Sequence, residues 1–171
     1  MKGYIQVYTG NGKGKTTAAL GLSVRALGAG KKVFIGQFAK SKHYSELETI
    51  DKLLKNITIK QYGLGCFIVD LPTDEDIQAA RKGLKEITEI ILSDEYDVII
   101  LDEANIAVYY KLFSAEELIQ VISQKSERTE IIITGRYASQ EIIDIADLVT
   151  EMKEIKHYYQ QGVQARVGIE K

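Results

Sequence analysis

The sequence contains very little cysteine, proline or tryptophan. Its 171 residues include one cysteine, one proline and no tryptophan. The single cysteine, Cys66, excludes an intrachain disulfide and a metal site built from paired CxxC motifs. No apolar run approaches the roughly 20 residues that a membrane-spanning helix needs, so we expect no membrane partner. Since a strand-like run follows Met1 almost at once, we expect no signal peptide and a location in the cytoplasm.

The chain also lacks an excess of either charge. Its 22 basic and 24 acidic residues give a formal net charge of −2, whereas a nucleic-acid backbone attracts proteins with a basic face. We therefore expect no nucleic-acid partner. Hydrophobic residues make up 45% of the chain and charged residues 27%, as in ordinary globular proteins. The length is that of one domain, so a single domain over residues 1–171 is predicted.

Short apolar runs alternate with segments of helical periodicity along the whole chain. Thr73 and Ser114 are predicted helix caps, and Ser114 begins a capping box. This alternation predicts an α/β fold with a single doubly wound, mainly parallel sheet flanked by helices. Strands are predicted at residues 4–8, 32–38, 57–62, 98–101, 130–134 and 148–152, and helices at 16–28, 46–54, 74–91, 106–112, 115–124 and 139–147.

The clearest motif is a glycine-rich turn between the first predicted strand and the first predicted helix. It spans residues 9–17, with the sequence TGNGKGKTT. Such a turn before a helix forms an anion cradle, because backbone N–H groups point inward and the helix dipole favours negative charge. Lys15 is predicted to reach phosphate oxygens, and Thr16 to bind magnesium. Thr9 stands where the usual P-loop has its first glycine. The alternative is a surface turn rich in glycine and lysine.

A second motif is the acidic pair Asp102-Glu103, which follows the apolar run 98–101. In P-loop folds the acidic residue after such a strand holds magnesium directly or through water. A strand that merely ends in a solvated acidic pair is the alternative, and the upstream turn favours the magnesium site. Arg136 follows the strand predicted at 130–134, where a phosphate contact and a solvated side chain are equally compatible with the sequence.

These two motifs indicate magnesium and a nucleoside triphosphate without specifying the reaction. If Glu103 activates water, the protein is an ATPase; if a substrate hydroxyl attacks the terminal phosphate, it is a kinase. Nucleoside kinases with a similar acidic strand usually carry zinc-binding CxxC pairs, which one cysteine cannot supply. A motor or recombinase would be expected to have a more basic face and a longer chain.

Taken together, the motifs resemble the P-loop corrinoid adenosyltransferases, which act on cob(I)alamin or cob(I)yrinic acid a,c-diamide. The resemblance runs in register from residue 3 to the C terminus and includes the phosphate loop with Thr9 in its first position. The other matching segments are RALGAG at 25–30, GQFAK at 36–40, LDE at 101–103, TGR at 134–136, ADLVTEM at 146–152, KH at 156–157 and GIE at 168–170.

The resemblance implies a P-loop NTPase fold of the recombinase-like type and ATP:corrinoid adenosyltransfer in the synthesis or salvage of adenosylcobalamin. In this reaction Co(I) of a reduced corrinoid attacks the ribose C5′ of ATP and expels triphosphate. The implied ligands are ATP, Mg²⁺ and the corrinoid, the implied reductant is of the flavoprotein type, and the implied assembly is a homodimer. An ATP-dependent module that binds a corrinoid without catalysis is the alternative.

The resemblance also implies roles for individual residues. Lys13 and Lys15 are expected to be catalytic cations on the triphosphate, and Phe67 is expected to pack on the corrin ring as part of a flap over residues 63–69. The expected magnesium ligands are Thr16 and Glu103, with Asp102 binding the ion through water or supporting its ligands from behind. The expected nucleotide contacts are Gly10, Asn11, Gly12, Lys13, Gly14, Lys15, Thr16, Thr17, Arg25 and Arg136.

Overall fold

A computed structural model describes residues 2–39, 44–64 and 71–170 of the chain. The described strands form one six-stranded sheet in the order β3-β2-β4-β5-β1-β6. Every pair of neighbouring strands in this sheet is parallel. The predicted mainly parallel α/β sheet is therefore confirmed. The strands are β1 (Ile5–Thr9), β2 (Val33–Phe38), β3 (Ile57–Tyr62), β4 (Val98–Asp102), β5 (Glu130–Thr134) and β6 (Leu148–Glu151).

Helices connect these strands at the predicted places, but their ends differ from the predicted ones. The helix predicted at 106–112 spans Ala104–Tyr109 instead, because Glu103 adopts a left-handed conformation with φ of 58° and turns the chain directly into the helix. The helices are α1 (Lys15–Gly28), α2 (Ser45–Leu53), α3 (Asp74–Ser93), α4 (Ala104–Tyr109), α5 (Ala115–Ile122) and α6 (Gln140–Ile145), followed by a 3-10 turn at Tyr158–Gln161.

Two helix starts follow their predicted capping residues. The Thr73 hydroxyl accepts a hydrogen bond from the Asp76 N–H at 3.2 Å, and the Ser114 hydroxyl accepts one from the Glu117 N–H at 3.1 Å. In both cases the acidic side chain accepts from the backbone N–H of the capping residue, which completes a capping box. These reciprocal bonds satisfy donors that the first turn of a helix otherwise leaves open.

The central strands send alternate side chains into two hydrophobic layers. Ile99 and Ile131 pack with α3, α4, α5 and α6 on one face of the sheet. Ile100 and Ile132 pack with α1 and α2 on the other face. Strands buried on both faces are nearly continuous apolar runs, which is why their sequences predict parallel strands between helical layers. The doubly wound arrangement follows from these two layers.

The carboxyl ends of all six parallel strands lie at one edge of the sheet, and the topology places those of β1, β5 and β4 side by side. Strand β5 lies between β1 and β4, with Tyr8 opposite Thr134 and Leu101 opposite Ile133. Loops after β1, β4 and β5 are therefore neighbours, although the sequence separates them widely. In open α/β sheets, ligands bind at this carboxyl edge. Among the described residues, no helix has the length and apolar character needed to cross a membrane.

Candidate active site

The glycine-rich loop joins β1 to α1 in a conformation that needs glycine. Gly10 and Gly14 have φ angles of 94° and 120°, which favour residues without a Cβ. A Cβ on Gly10 would lie 2.4 Å from the Met152 carbonyl oxygen, and one on Gly12 would lie 2.8 Å from the same atom. The Gly12 N–H donates to that oxygen at 2.7 Å. The loop is therefore packed against the end of β6, with no space for a side chain at Gly10 or Gly12.

Lys15 is the first residue of α1, and its side chain folds back into the loop. The ammonium donates to the carbonyl oxygens of Gly10 and Gly12, each at 2.7 Å. The residue is only 7% exposed. A positive side chain at a helix N terminus opposes the helix dipole, while the backbone N–H groups there favour an anion. This arrangement suits a phosphate group, which Lys15 can bind by exchanging carbonyl oxygens for phosphate oxygens.

Thr9 has a structural contact at the position where the usual P-loop has glycine. Its hydroxyl accepts a hydrogen bond from the Ala138 N–H at 3.3 Å. The Gly135 N–H, in the same loop after β5, donates to the Tyr8 carbonyl at 3.2 Å. The Thr9 side chain therefore ties the start of the phosphate loop to the neighbouring loop of the site.

Asp102, at the end of β4, is the centre of a buried hydrogen-bond network. It is 1% exposed. Its Oδ1 accepts from the Thr16 hydroxyl at 2.9 Å and from the Thr134 hydroxyl at 2.7 Å. Its Oδ2 accepts from Gln37 Nε2 at 3.1 Å. These bonds compensate the desolvation of the carboxylate and join the phosphate loop to the ends of β2, β4 and β5.

Glu103 and Asn105 lie beside this network, against the loop after β5. The Glu103 N–H donates to the Thr134 hydroxyl at 3.0 Å, and Asn105 Nδ2 donates to the Gly135 carbonyl at 3.2 Å. A Cβ on Gly135 would lie 3.3 Å from Glu103 Oε2. Within the described ranges, the buried Asn105 Oδ1 has no hydrogen-bond partner. A water or a hydroxyl of a ligand can satisfy an acceptor of this kind.

Comparison with known proteins identifies the family. The model of the family ATP:corrinoid adenosyltransferase BtuR/CobO/CobP matches residues 1–170. The chain belongs to this family. It is 34% identical over 171 residues to the corrinoid adenosyltransferase of Escherichia coli (strain K12), a match that covers 99% of this chain and 86% of the relative.

Two further relatives carry the same name. The corrinoid adenosyltransferase of Sinorhizobium sp. is 35% identical over 173 residues, covering 99% of this chain and 80% of the relative. The corrinoid adenosyltransferase CobA of Salmonella typhimurium (strain LT2) is 34% identical over 171 residues, covering 99% of this chain and 86% of the relative. The resemblance noted in the sequence is therefore confirmed.

Most of the expected site residues of this corrinoid adenosyltransferase meet at the carboxyl edge. The phosphate loop, Asp102 and Glu103 are joined by the contacts described above. Arg136 is exposed and lines a cavity of about 540 Å³ near the loop. The other residues that line this cavity are Glu154, His157, Tyr158, Tyr159, Gln160, Val163, Ala165 and Glu170.

Arg25 lies elsewhere. It is in the last turn of α1, about 15 Å from Lys15 at the rise of an α-helix. Its side chain lines a different cavity, of about 290 Å³, together with Val98 and Glu130. These two residues begin β4 and β5, so this cavity lies at the amino edge of the sheet. The structure does not bring Arg25 to the phosphate loop.

Phe67 cannot be placed in the same way. It is one of residues 65–70, which lie outside the described residues. The same holds for Cys66, in the predicted flap. The expected contact of Phe67 with a corrin ring remains a prediction.

The side chains at the loop fit a magnesium ion bound together with a nucleotide. The Thr16 hydroxyl and an Asp102 carboxylate oxygen are 2.9 Å apart, and oxygen ligands are those that Mg²⁺ prefers. The described residues contain no group of three or more His, Cys, Asp or Glu that could hold a metal. Magnesium at phosphate sites commonly uses one or two carboxylates, with phosphates and waters as the other ligands. The donor set therefore fits.

The C-terminal segment supplies site residues that sequence reasoning missed. Lys13 Nζ donates to Glu170 Oε1 at 2.8 Å and to the Tyr158 hydroxyl at 3.1 Å. Arg166 donates to both oxygens of Glu170, from Nε at 3.2 Å and from Nη2 at 3.1 Å. Arg166, Lys13 and Tyr158 hold the pKa of the Glu170 carboxyl well below its usual range. The hydrogen bond to Glu170 raises the pKa of Lys13.

Gln37 and Thr134 were also missed as partners of Asp102. Gln37 lies in the otherwise apolar strand β2 and is fully buried. Its Oε1 accepts from Gln61 Nε2 at 3.0 Å, so the network extends to β3. A polar side chain within a buried strand is a usable signal, because it needs a partner at the same depth. The GIE motif at 168–170 resembles the family, but it does not indicate the contact of Glu170 with Lys13.

Proposed function

We propose that this chain transfers the 5′-deoxyadenosyl group of ATP to the Co(I) centre of a reduced corrinoid and releases triphosphate. The reaction serves the synthesis or salvage of adenosylcobalamin. The observation that carries the proposal is the glycine cradle with Lys15 inside it, beside the Thr16–Asp102 pair. The chain acts as one domain over residues 1–171.

The reaction needs a leaving-group site more than it needs a general base. Co(I) supplies the electron pair, a cobalt–C5′ bond forms, and the bond from C5′ to the triphosphate oxygen breaks. The triphosphate leaves with that bonding pair, and cobalt becomes Co(III). Negative charge therefore develops on the triphosphate, where fixed cations and N–H donors stabilise it. Lys13, Lys15 and the backbone N–H groups of Asn11 and residues 13–17 supply these groups, while the Gly12 N–H is bonded to the Met152 carbonyl.

The remaining polar residues complete the nucleotide site. Thr16 and Glu103 hold Mg²⁺, and Asp102 acts through water, since its oxygens already accept from three protein donors. When bound, magnesium supplies further charge stabilisation to the triphosphate. Arg136 contacts the nucleotide from the rim of the cavity that it lines. Arg25 is not included, because α1 places it at the other edge of the sheet.

The corrinoid side of the proposal depends on Phe67. This residue packs on the corrin ring and keeps water and oxygen from the reduced metal. Phe67→Ala is expected to lower adenosylation while ATP affinity stays nearly unchanged, and Leu71→Ala, at a site 88% exposed, is the control. Equal loss of ATP binding would contradict this role. The proposal also includes a flavoprotein-type reductant, a homodimer and a location in the cytoplasm.

The deciding experiment follows both products of the reaction. The protein is incubated with Mg-ATP and chemically reduced cobalamin, the corrinoid spectrum is recorded, and the released phosphates are separated. We expect adenosylcobalamin and triphosphate in equal amounts. Orthophosphate in place of triphosphate would indicate an ATPase or a kinase. Corrinoid binding without either product would indicate a binding module.

A further inference from the structure

Four residues form a compact polar cluster where the C-terminal segment meets the phosphate loop. We call Lys13, Tyr158, Arg166 and Glu170 the tail cluster. Lys13 Nζ is 2.8 Å from Glu170 Oε1 and 3.1 Å from the Tyr158 oxygen. Tyr158 also donates to Glu170, and the Arg166 N–H donates to Glu170 Oε2 at 2.8 Å. Every bond to Lys13 in this cluster comes from the last 14 residues of the chain.

Burial and charge differ among the members of the tail cluster. The Glu170 side chain is 14% exposed, whereas those of Lys13 and Arg166 are 40% and 53% exposed. The carboxylate is therefore covered while both cations stay accessible. Two cations and one carboxylate leave a formal charge of +1, so the cluster still attracts an anion.

The tail cluster lies at the junction of two parts of the proposed site. Lys13 belongs to the phosphate loop, two residues before Lys15. Tyr158 and Glu170 line the cavity of about 540 Å³ that Arg136 also lines. Lys13 is therefore joined to this cavity through its hydrogen bonds to two of the residues that line it.

We infer that Glu170 and Tyr158 are positioning residues that hold the Lys13 ammonium ready for the triphosphate of ATP. A free lysine side chain is flexible and has to be ordered when an anion binds, which lowers affinity. Two protein acceptors order Lys13 in advance and leave its third N–H for the ligand. This inference rests on the proposed function and adds a role for the C-terminal segment in it.

The direction in which one substitution changes anion affinity tests the inference. Removing the Glu170 carboxylate makes the local charge more positive, so charge alone predicts tighter anion binding. Loss of positioning predicts weaker binding. We expect Glu170→Ala to bind inorganic tripolyphosphate and ATP about fivefold more weakly than the wild type in calorimetry, and Tyr158→Phe to show a smaller change in the same direction. Tyr158→Phe removes one hydroxyl and retains the ring.

Two controls separate positioning from general damage. Glu95→Ala removes a carboxylate that is 3.5 Å from Lys32 Nζ, away from the loop, and should leave tripolyphosphate affinity unchanged. In a Lys13→Ala background, Glu170→Ala should have no further effect, because the two residues act through one contact. The same fivefold loss in that background would overturn the inference.

The outcomes also distinguish this inference from the proposed function. Wild-type protein that binds neither ATP nor tripolyphosphate would overturn the proposed function, and this inference with it. Wild-type protein that binds both, with unchanged or tighter binding in Glu170→Ala and Tyr158→Phe, would overturn the positioning role alone.

Discussion

The two edges of the sheet both carry basic side chains beside a cavity, but they differ in the backbone around those side chains. Lys15 begins α1 and is buried in a loop of glycines. Arg25, in the last turn of the same helix, is exposed. The helix dipole disfavours a cation at the N terminus of α1, where Lys15 lies, and favours one at the C terminus, where Arg25 lies. An anion bound beside Lys15 would offset this unfavourable interaction with the dipole, whereas Arg25 stabilises the helix end by its own charge.

The amino edge carries basic side chains without the backbone cradle of a phosphate loop. Its cavity of about 290 Å³ has an apolar floor that includes Leu22 and Ala26. Among the described residues, no glycine-rich loop lines this cavity or points backbone N–H groups into it. The charged residues around it are Lys2, Arg25, Lys31, Arg128, Asp97 and Glu130.

The largest expected difference between the edges is in catalysis. Lys15→Ala should lower the rate of triphosphate release at least about 100-fold, because it removes a fixed cation from the leaving group. Arg25→Ala removes the same charge from the other end of α1 and should change the rate less than about twofold. Both rates are measured with Mg-ATP and reduced cobalamin. Similar losses in the two variants would remove the distinction between the edges.

A second pair of variants tests the backbone of the loop. Gly10→Ala places a Cβ 2.4 Å from the Met152 oxygen at a φ of 94°, so we expect the free energy of unfolding to fall by about 2 kcal/mol. Gly28→Ala, at the last residue of α1, meets nothing within 4 Å and should raise it by less than about 1 kcal/mol. Urea unfolding measures both. Equal stabilities would show that the loop tolerates side chains.

A third pair compares carboxylates at the two edges. Glu103→Gln should raise the Mg²⁺ concentration for half-maximal activity about tenfold, since the substitution removes the charged oxygen that we propose as a magnesium ligand. Glu95→Gln, at the amino edge, should leave the magnesium dependence unchanged. A magnesium titration of both variants is the measurement. An unaltered dependence in Glu103→Gln would move the metal site away from this residue.

The smallest expected effect concerns the pH range of the tail cluster. Because the pKa of Glu170 is lowered in the folded protein, this group contributes stability above its unfolded pKa of about 4.3. That contribution is lost as the pH falls through the lower folded value. The contact should therefore persist from neutral pH to below about 4.3. Side-chain NMR titration follows it directly.

The variant Lys13→Ala allows the pKa of a carboxylate at each edge of the sheet to be compared. Lys13→Ala should raise the pKa of Glu170 and leave that of Asp94 unaltered. Ser126 and Arg128 lower the pKa of Asp94 at the amino edge, and Lys13 does not contribute there. Parallel changes in both groups would mean that the two edges are coupled.

Much of the nucleotide site was predictable, because its parts are contiguous in the chain. Residues 9–17 form a strand end, a turn and a helix start in sequence order, and their geometry follows from glycine and the helix dipole. The contact of Thr16 with Asp102 spans 86 residues. The sequence did not predict this direct contact, but it predicted that the loop and the acidic strand meet, since a loop and a strand of this type share one edge of a parallel sheet.

Other parts of the site depend on contacts that have no local signal. Gln37 is a partial exception, because a polar residue in an apolar strand is a weak signal of a buried contact. The contact between Lys13 and Glu170 spans 157 residues, and both residues lie in segments that look like exposed loops. Arg25 is the opposite case: its motif resembles the family, whereas the length of α1 carries it to the amino edge of the sheet. Its nucleotide contact stays a prediction.

The sequence by itself determined the α/β class, the phosphate loop, the acidic strand and the family, because periodicity and short motifs are local and specific. Only the tertiary structure decided the strand order, the partners of Asp102, the place of Arg25 and the closure of the C-terminal segment onto Lys13. These depend on which distant segments pack together, and that choice is made by the burial of whole strands and helices rather than by any single stretch of sequence.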